Sequence, residues 1–265
     1  MIIIGEKING FIPKTLAAIE ARDENYIAFL ATEQARRGAD YLDICAGVEQ
    51  ERERETLLWL LEVVQAATDI PICLDSPDAQ VLVDLIGAIK KPGIINSVSL
   101  EKGKCETVLP VIAQTEWKII ALTCDDTGTP DDPKTKTRIA RELISRANSM
   151  GIANNRIFID PLVTTLATKE DSLANFTGAI KLIKSEFSDV HITSGLSNIS
   201  YGMPYRKAIN MQFLAFAIEA GMDSAIMDPL SSDVQAALYA TNALLGNDEY
   251  CMEYIGAFRR GLFTG

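Results

Sequence analysis

The chain has 265 residues, of which 48% are hydrophobic and 23% charged, a composition typical of a folded globular protein and unlike that of a disordered one. It carries 25 Lys and Arg against 36 Asp and Glu, which gives a net charge of −11. Because phosphate backbones and anionic membrane surfaces attract clustered positive charge, this balance argues against nucleic acid and membrane as partners.

Apolar residues follow two alternating periods along the chain. Short β-branched runs predict eight strands, at residues 2–4, 41–45, 71–74, 93–96, 118–123, 156–159, 190–193 and 224–227. Segments with helical spacing predict eight helices between them, at residues 24–37, 52–67, 78–89, 106–114, 134–150, 169–187, 206–220 and 233–244.

Strand–helix units repeated in this way predict a parallel sheet, and we expect a single-domain TIM (β/α)8 barrel over residues 1–265. Residues 246–265 are predicted to form a C-terminal helical extension. A doubly wound open sheet is the alternative. It is less favoured because the first turn, GEKINGF at Gly5–Phe11, lacks the GxGxxG pattern of a nucleotide-binding loop.

Polar residues collect where the predicted strands end, which is the end of a barrel that carries active sites. They are Glu6, Asn9, Asp43, Asp75, Asn96, Thr123, Asp125, Asp126, Asp160, the segment 194–198 and Asp228. Each Asp also fits the simpler role of an N-cap for the following helix. Taken together, they predict a polar binding site rich in carboxylate and amide groups.

Several chemistries are excluded by the residues present. His191 is the sole histidine and no cysteine pair has CxxC spacing, so common zinc sites are excluded and we expect no bound metal. GxSxG and P-loop motifs are absent. The odd number of cysteines, five, and an N-terminus without a basic signal-peptide segment indicate reduced thiols and a cytoplasmic location. No apolar stretch approaches the length of about 18 residues that a membrane span needs.

Six segments at successive strand ends, in register from residue 5 to about 230, resemble the methyltetrahydrofolate:corrinoid-protein methyltransferases. They are GEKIN, DICAG, LDSPD, INSVSLEKGK, DPL and GLSNISYGMP. They are also similar to the folate domain of cobalamin-dependent methionine synthase. The resemblance implies a pterin-binding TIM barrel, a homodimer, and methyl transfer between N5 of methyltetrahydrofolate and the cobalt of a corrinoid (cobalamin) carried by a partner protein.

Carried over to this sequence, the resemblance implies that Asp75, Asn96 and Asp160 hold the pterin ring. Asn198 would lie near N5 as the catalytic residue, assisting by hydrogen bonding because its amide does not titrate usefully.

Four further residues are expected to line the site: Glu6, Asn9, Asp43 and Arg206. The first three match family motifs, and Arg206 is placed near the glutamate tail of the folate by its charge alone. Without the resemblance, Asn198 fits the simpler role of a turn residue.

Three alternatives stay open at this stage. A dihydropteroate synthase-like enzyme shares the barrel and the pterin site, but the PLVTTLAT that follows Asp160 lacks the expected glycine-rich segment and lysine. A non-catalytic folate-binding module would not need Asn198. An unrelated barrel lyase would depend on Mg²⁺. The sequence also leaves open the direction of methyl transfer and the pathway.

Overall fold

The structure is a computed structural model that describes residues 1–264 of the chain. Eight strands in this range form one sheet, in the order β7-β6-β5-β4-β3-β2-β1-β8, and every neighbouring pair is parallel. The strands are β1 (Ile2–Asn9), β2 (Tyr41–Cys45), β3 (Ile72–Asp75), β4 (Ile94–Leu100), β5 (Lys118–Asp125), β6 (Ile157–Asp160), β7 (His191–Ile192) and β8 (Ser224–Met227).

Helices connect successive strands and cover the outside of the sheet. Within residues 1–264 they are α1 (Pro13–Glu20), α2 (Glu24–Arg36), α3 (Gln50–Ala67), α4 (Ala79–Leu85), α5 (Lys104–Ile112), α6 (Pro133–Ser149), α7 (Ser172–Glu186), α8 (Arg206–Ala220), α9 (Ser232–Leu244) and α10 (Met252–Arg259). None of these helices has both the length and the apolar character needed to cross a bilayer.

The two ends of the sheet meet between β7 and β8, which closes the barrel. The amide of Ile226 donates to the carbonyl of Ser194 at 3.0 Å, and the amide of Asp223 donates to the carbonyl of Ile192 at 3.3 Å. Each strand is followed by a helix that packs on the sheet. The predicted single-domain TIM barrel is therefore confirmed.

The barrel interior is filled in layers, because alternate side chains of each strand face inward. Five buried side chains from different strands form an apolar cluster across the interior, here called the apolar floor: Ile4, Cys73, Ile94, Ile120 and Phe158. The residue two positions after four of these is polar: Glu6, Asp75, Asn96 and Asp160. Strand periodicity thus places a polar layer directly above the floor, at the carboxyl ends of the strands.

The chain after α9 folds back as α10 and packs on the outside of the barrel. Ala257, Leu262 and Phe263 form a small buried cluster against Tyr239 of α9. Arg37 fixes this segment, because its Nη1 donates to the carbonyl oxygens of residues 261 and 262 at 2.9 Å. This segment lies away from the carboxyl ends of the strands and supplies none of the polar layer.

Candidate functional site

The polar layer brings together residues that are far apart in the chain. Asp75 is the last residue of β3 and pairs in register with Asn96 of β4, while Asp160 is the last residue of β6. Asp43, on β2, lies below them and accepts a hydrogen bond from Nδ2 of Asn96 at 3.3 Å. Four of the sequence-predicted site residues therefore meet at one end of the barrel.

Burial controls the protonation of these acids, since a charged carboxylate is poorly solvated inside the barrel. Asp43 is only 2% exposed, and burial together with the charge of Asp75 raises its pKa well above the ordinary range. Burial raises the pKa of Asp75 to about 6 and that of Asp160 to about 6. The site can therefore present a protonated acid beside carboxylates that are ionised at neutral pH.

Asp160 uses only part of its hydrogen-bonding capacity within the chain. Its Oδ1 accepts from the amide of Leu162 at 2.8 Å, which fixes the turn after β6. A carboxylate has two oxygen atoms and several acceptor positions, so this turn contact leaves acceptor capacity for a ligand. Turn formation and ligand binding are thus compatible at this residue.

Glu6 lies on β1, whose neighbours in the sheet are β2 and β8. Burial and the neighbouring Asp228 raise the pKa of Glu6 to about 7. Asp228 is paired with Lys7, whose Nζ lies 3.0 Å from its Oδ2. The hydroxyl of Ser197 donates to Oε2 of Glu6 at 3.3 Å. Glu6 therefore faces the site and also contacts the loop that carries Asn198.

Asn198 is carried by a single turn of 3₁₀ helix, Leu196–Ser200, which follows β7 and is here called the Asn198 turn. The residue is exposed at the mouth. Gly195 precedes the turn, and a Cβ at this position would lie 2.8 Å from Nδ2 of Asn198. The absence of a side chain at Gly195 thus leaves the space that the Asn198 amide occupies.

Two of the predicted lining residues hold loops in this structure. Oδ1 of Asn9 accepts from the amide of Phe11 at 2.8 Å and forms a tight turn after β1. Arg206, the first residue of α8, donates from Nη2 to the carbonyl of Ser197 at 2.7 Å. Contact of either side chain with a ligand stays a prediction.

Two features of the site were missed in the sequence. Cys45 pairs in register with Asp75, and Cys73 with Asp43; each buried thiol lowers the pKa of its neighbouring acid against the effect of burial. Their strand periodicity was the available signal, because Cys45 follows Asp43 by two residues and Cys73 precedes Asp75 by two.

The second feature is a cleft of about 580 Å³ beside the mouth, which no sequence pattern indicated. It is lined by Phe11, Cys45, Gly47, Val48, Gln50, Glu53, residues 77–80, residues 102–104 and Thr107.

Among residues 1–264, no group of three or more His, Cys, Asp and Glu side chains is arranged to hold a metal ion. The expectation that this chain binds no metal stays a prediction.

Comparison with known proteins identifies the family. The model of the family described as "Pterin binding enzyme" matches residues 16–228. The chain belongs to this family. A methylcorrinoid:tetrahydrofolate methyltransferase of Eubacterium limosum is 46% identical over 263 residues, which cover 98% of this chain and 97% of that protein.

Other similar proteins share part of the chain or only its fold. Methionine synthase of Mycobacterium tuberculosis is 31% identical over 241 residues, covering 86% of this chain but 20% of that protein. Dihydropteroate synthase of Stenotrophomonas maltophilia aligns over 92% of both chains with a TM-score of 0.68 and 19% identity. The enzyme of Xanthomonas albilineans, solved with 7,8-dihydropteroate, gives 0.67 and 21%, again with 92% of both chains covered. At these identities, the likeness to the synthases shows the barrel fold.

Proposed function

We propose that this pterin-binding enzyme transfers a methyl group between a methylated corrinoid protein and tetrahydrofolate. The observation that carries the proposal is the 46% identity to the methylcorrinoid:tetrahydrofolate methyltransferase, which extends over nearly the full length of both chains. The name of that relative gives the methylcorrinoid first, as methyl donor, and tetrahydrofolate second, as acceptor. We therefore propose that transfer runs from cobalt to N5.

In this proposal, the polar layer binds the pterin ring. The ring presents an N–H beside an amino group, and one carboxylate can accept from both, as we assign to Asp75 or Asp160. Asn96 offers an amide donor and acceptor for the remaining ring atoms. The buried Asp43 holds the Asn96 amide at 3.3 Å and thereby orients it. The apolar floor fixes how deep the ring can enter.

The reaction requires an electron pair and a proton to move at N5. The N5 lone pair attacks the methyl carbon, and the cobalt–carbon bond breaks with its electron pair remaining on cobalt, which becomes Co(I). The N5 proton must then depart. We assign Asn198 to this position, because an amide can accept from N5–H while positive charge develops and can donate to the N5 lone pair in the reverse direction. The proton leaves through water or through the polar layer.

The proposal also includes the remaining expectations from the sequence. The corrinoid is carried by a partner protein that docks at the barrel mouth, because the cobalt must reach the methyl group. The chain acts as one pterin-binding unit, forms a homodimer and works in the cytoplasm. Size-exclusion chromatography with light scattering gives the oligomeric state directly, and a monomer at micromolar concentration would contradict the dimer.

An anaerobic spectrophotometric assay tests the methyl transfer. The protein is mixed with tetrahydrofolate and methylcobalamin, or a methylated corrinoid protein, and appearance of the Co(I) absorption band is followed. Replacing Asn198 by Ala should lower kcat about 100-fold, the loss typical of removing one transition-state hydrogen bond, while tetrahydrofolate still binds. The matched control is Asn155→Ala, an exposed asparagine in the turn before β6, at the opposite end of the barrel, which should behave as wild type.

The other outcomes separate the rival functions. Tight pterin binding without methyl transfer in either direction would favour a dihydropteroate synthase-like enzyme or a folate-binding module. Equal rates for wild type and Asn198→Ala would overturn the role of Asn198 alone. Loss of activity on dialysis against a chelator would favour a metal-dependent reaction.

A further inference from the structure

We propose that Arg206 is a positioning residue that holds the Asn198 turn in the geometry needed for methyl transfer. This inference rests on the proposed function and replaces the expectation that Arg206 meets the glutamate tail of the folate. Its basis is a set of contacts that fix the turn on both sides of Asn198, from two different elements of the barrel.

The guanidinium of Arg206 binds the turn at two points. Nη2 donates to the carbonyl of Ser197 at 2.7 Å, and Nε donates to the hydroxyl of Ser200 at 3.0 Å. The Ser200 hydroxyl in turn donates to Oδ1 of Asn210 on α8 at 2.6 Å. Asn198 lies between the two residues that Arg206 holds. The turn is therefore fastened to the first turns of α8 by a planar, always-charged group.

The other face of the turn is fastened to β1. The hydroxyl of Ser197 donates to Oε2 of Glu6 at 3.3 Å, while its carbonyl accepts from Arg206. Ser200 is fully buried, so its contacts do not compete with bulk water. Asn198 is thus an exposed side chain on a backbone held by a strand and a helix, an arrangement that fixes the position of a reacting group.

The same contacts disfavour one way of binding the folate tail, a bidentate contact through the Nε–Nη2 edge. Nε and Nη2 form one edge of the guanidinium fork, and both nitrogen atoms already donate to acceptors of this chain. A bidentate contact between that edge and a ligand carboxylate would break both hydrogen bonds. The edge that binds the turn cannot bind the tail at the same time.

A double-mutant cycle tests the proposal, with the methyl-transfer assay as readout. Arg206→Met should lower kcat about 10- to 100-fold, because small misplacements of a catalytic group have effects of this size, and should leave the KM for tetrahydrofolate nearly unchanged. In the Asn198→Ala background the same substitution should have no further effect, since it acts through Asn198. Lys207→Met removes the same charge from the next residue, which pairs with Asp233, and should match wild type.

Other results would contradict the positioning role of Arg206, each in a different way. A raised KM with unchanged kcat would return Arg206 to the folate tail, and full additivity with Asn198→Ala would show that it acts elsewhere. Hydrogen–deuterium exchange supplies a readout that needs no activity. Exchange of the amide of Tyr201, which donates to the carbonyl of Asn198 at 3.2 Å, should accelerate in Arg206→Met and stay unchanged in Lys207→Met. Unchanged exchange in both variants overturns the clamp, whereas a wild-type protein inactive in methyl transfer overturns only the proposed function.

Discussion

At the scale of single residues, the site depends on side chains that hold each other as much as on those that meet a ligand. Asp43 holds Asn96, Cys45 lies beside Asp75, and Ser197 contacts Glu6. The positions of the acids were predictable, because alternation in a strand fixes which residues face the interior. Their partners were not, since a thiol or a serine in a strand looks like ordinary core until its neighbour across the sheet is known.

Gly195 offers a test of the space around Asn198. Its φ of −69° is accessible to any residue, so Gly195→Ala should fold, but the new Cβ would lie 2.8 Å from Nδ2 of Asn198 and must displace the amide. We expect kcat to fall about 10-fold with tetrahydrofolate affinity retained. Gly87→Ala is the control, because a Cβ there would meet no atom of residues 1–264 within 4 Å apart from its own neighbouring backbone. Equal kcat values for the two variants would contradict this account.

At the scale of elements, the strands differ from prediction where polar residues enter the barrel. Strand β1 was predicted to end at residue 4, but it continues to Asn9 with an irregular register between Gly5 and Ile8. The apolar pattern stopped because Glu6 faces the site, not because the strand ended. Helix α1 (Pro13–Glu20) was missed because its eight residues are too few to establish a helical period, although Pro at its first position is a common start signal.

Strand β7 shows the opposite error. It was predicted over residues 190–193, and the strand comprises only His191–Ile192, although the amide of Thr193 still donates to the carbonyl of Ile159 on β6 at 2.9 Å. After Thr193 the chain parts from β6, and Ser194 and Gly195 lie against Ile226 of β8 before the Asn198 turn begins. Local sequence does not record this departure, because the hydrogen bonds that permit it come from Glu6 and Arg206.

Arg156 joins two elements at the lower end of the barrel. Its Nη2 donates to the carbonyl of Ile112, the last residue of α5, at 2.8 Å, and its Nε donates to the carbonyl of Trp117 at 2.8 Å. Arg156→Met removes these charge-assisted hydrogen bonds and should lower the free energy of unfolding by about 2 kcal/mol, measured by urea denaturation. Arg52→Met, at an exposed arginine whose ion pair with Glu49 spans 3.7 Å, should stay within about 0.5 kcal/mol of wild type. If Arg156→Met lowered the free energy of unfolding by no more than Arg52→Met does, water would be satisfying the carbonyl groups of Ile112 and Trp117.

At the scale of the whole molecule, acidic residues are in excess over the chain and are also gathered inside the barrel. The chain carries a net charge of −11, and the barrel buries Asp43 and Asp160 and half-buries Glu6 and Asp75; the pKa values of all four are raised. Such an arrangement opposes folding once the acids ionise, and it agrees with the proposed role of the polar layer in binding the pterin. The composition indicated the acidic surplus, and the barrel fold determined which acids would be buried.

The pH dependence of stability follows from these shifts. Folded Glu6 keeps its proton up to a pKa of about 7, against 4.5 ordinarily, in the field of Asp228, Lys7 and Arg206. Between these values the unfolded chain binds fewer protons at this residue, so stability falls as pH rises. Between pH 5 and pH 8, the free energy of unfolding of Glu6→Gln should therefore fall by about 2 kcal/mol less than that of wild type, measured by chemical denaturation. The exposed Glu20→Gln should follow wild type, and an unchanged pH slope in Glu6→Gln would refute the assignment.

The apolar floor implies an order of substrate binding and release for the proposed reaction. Its five side chains seal the barrel beneath the polar layer, so the pterin pocket is reached from the upper mouth. Tetrahydrofolate and the corrinoid protein must then both approach through the barrel mouth. Tetrahydrofolate has to be seated before its larger partner arrives, and methyltetrahydrofolate can leave only after that partner has dissociated. Under the proposed function, this order of binding and release follows from a layer of isoleucine, cysteine and phenylalanine beneath the site.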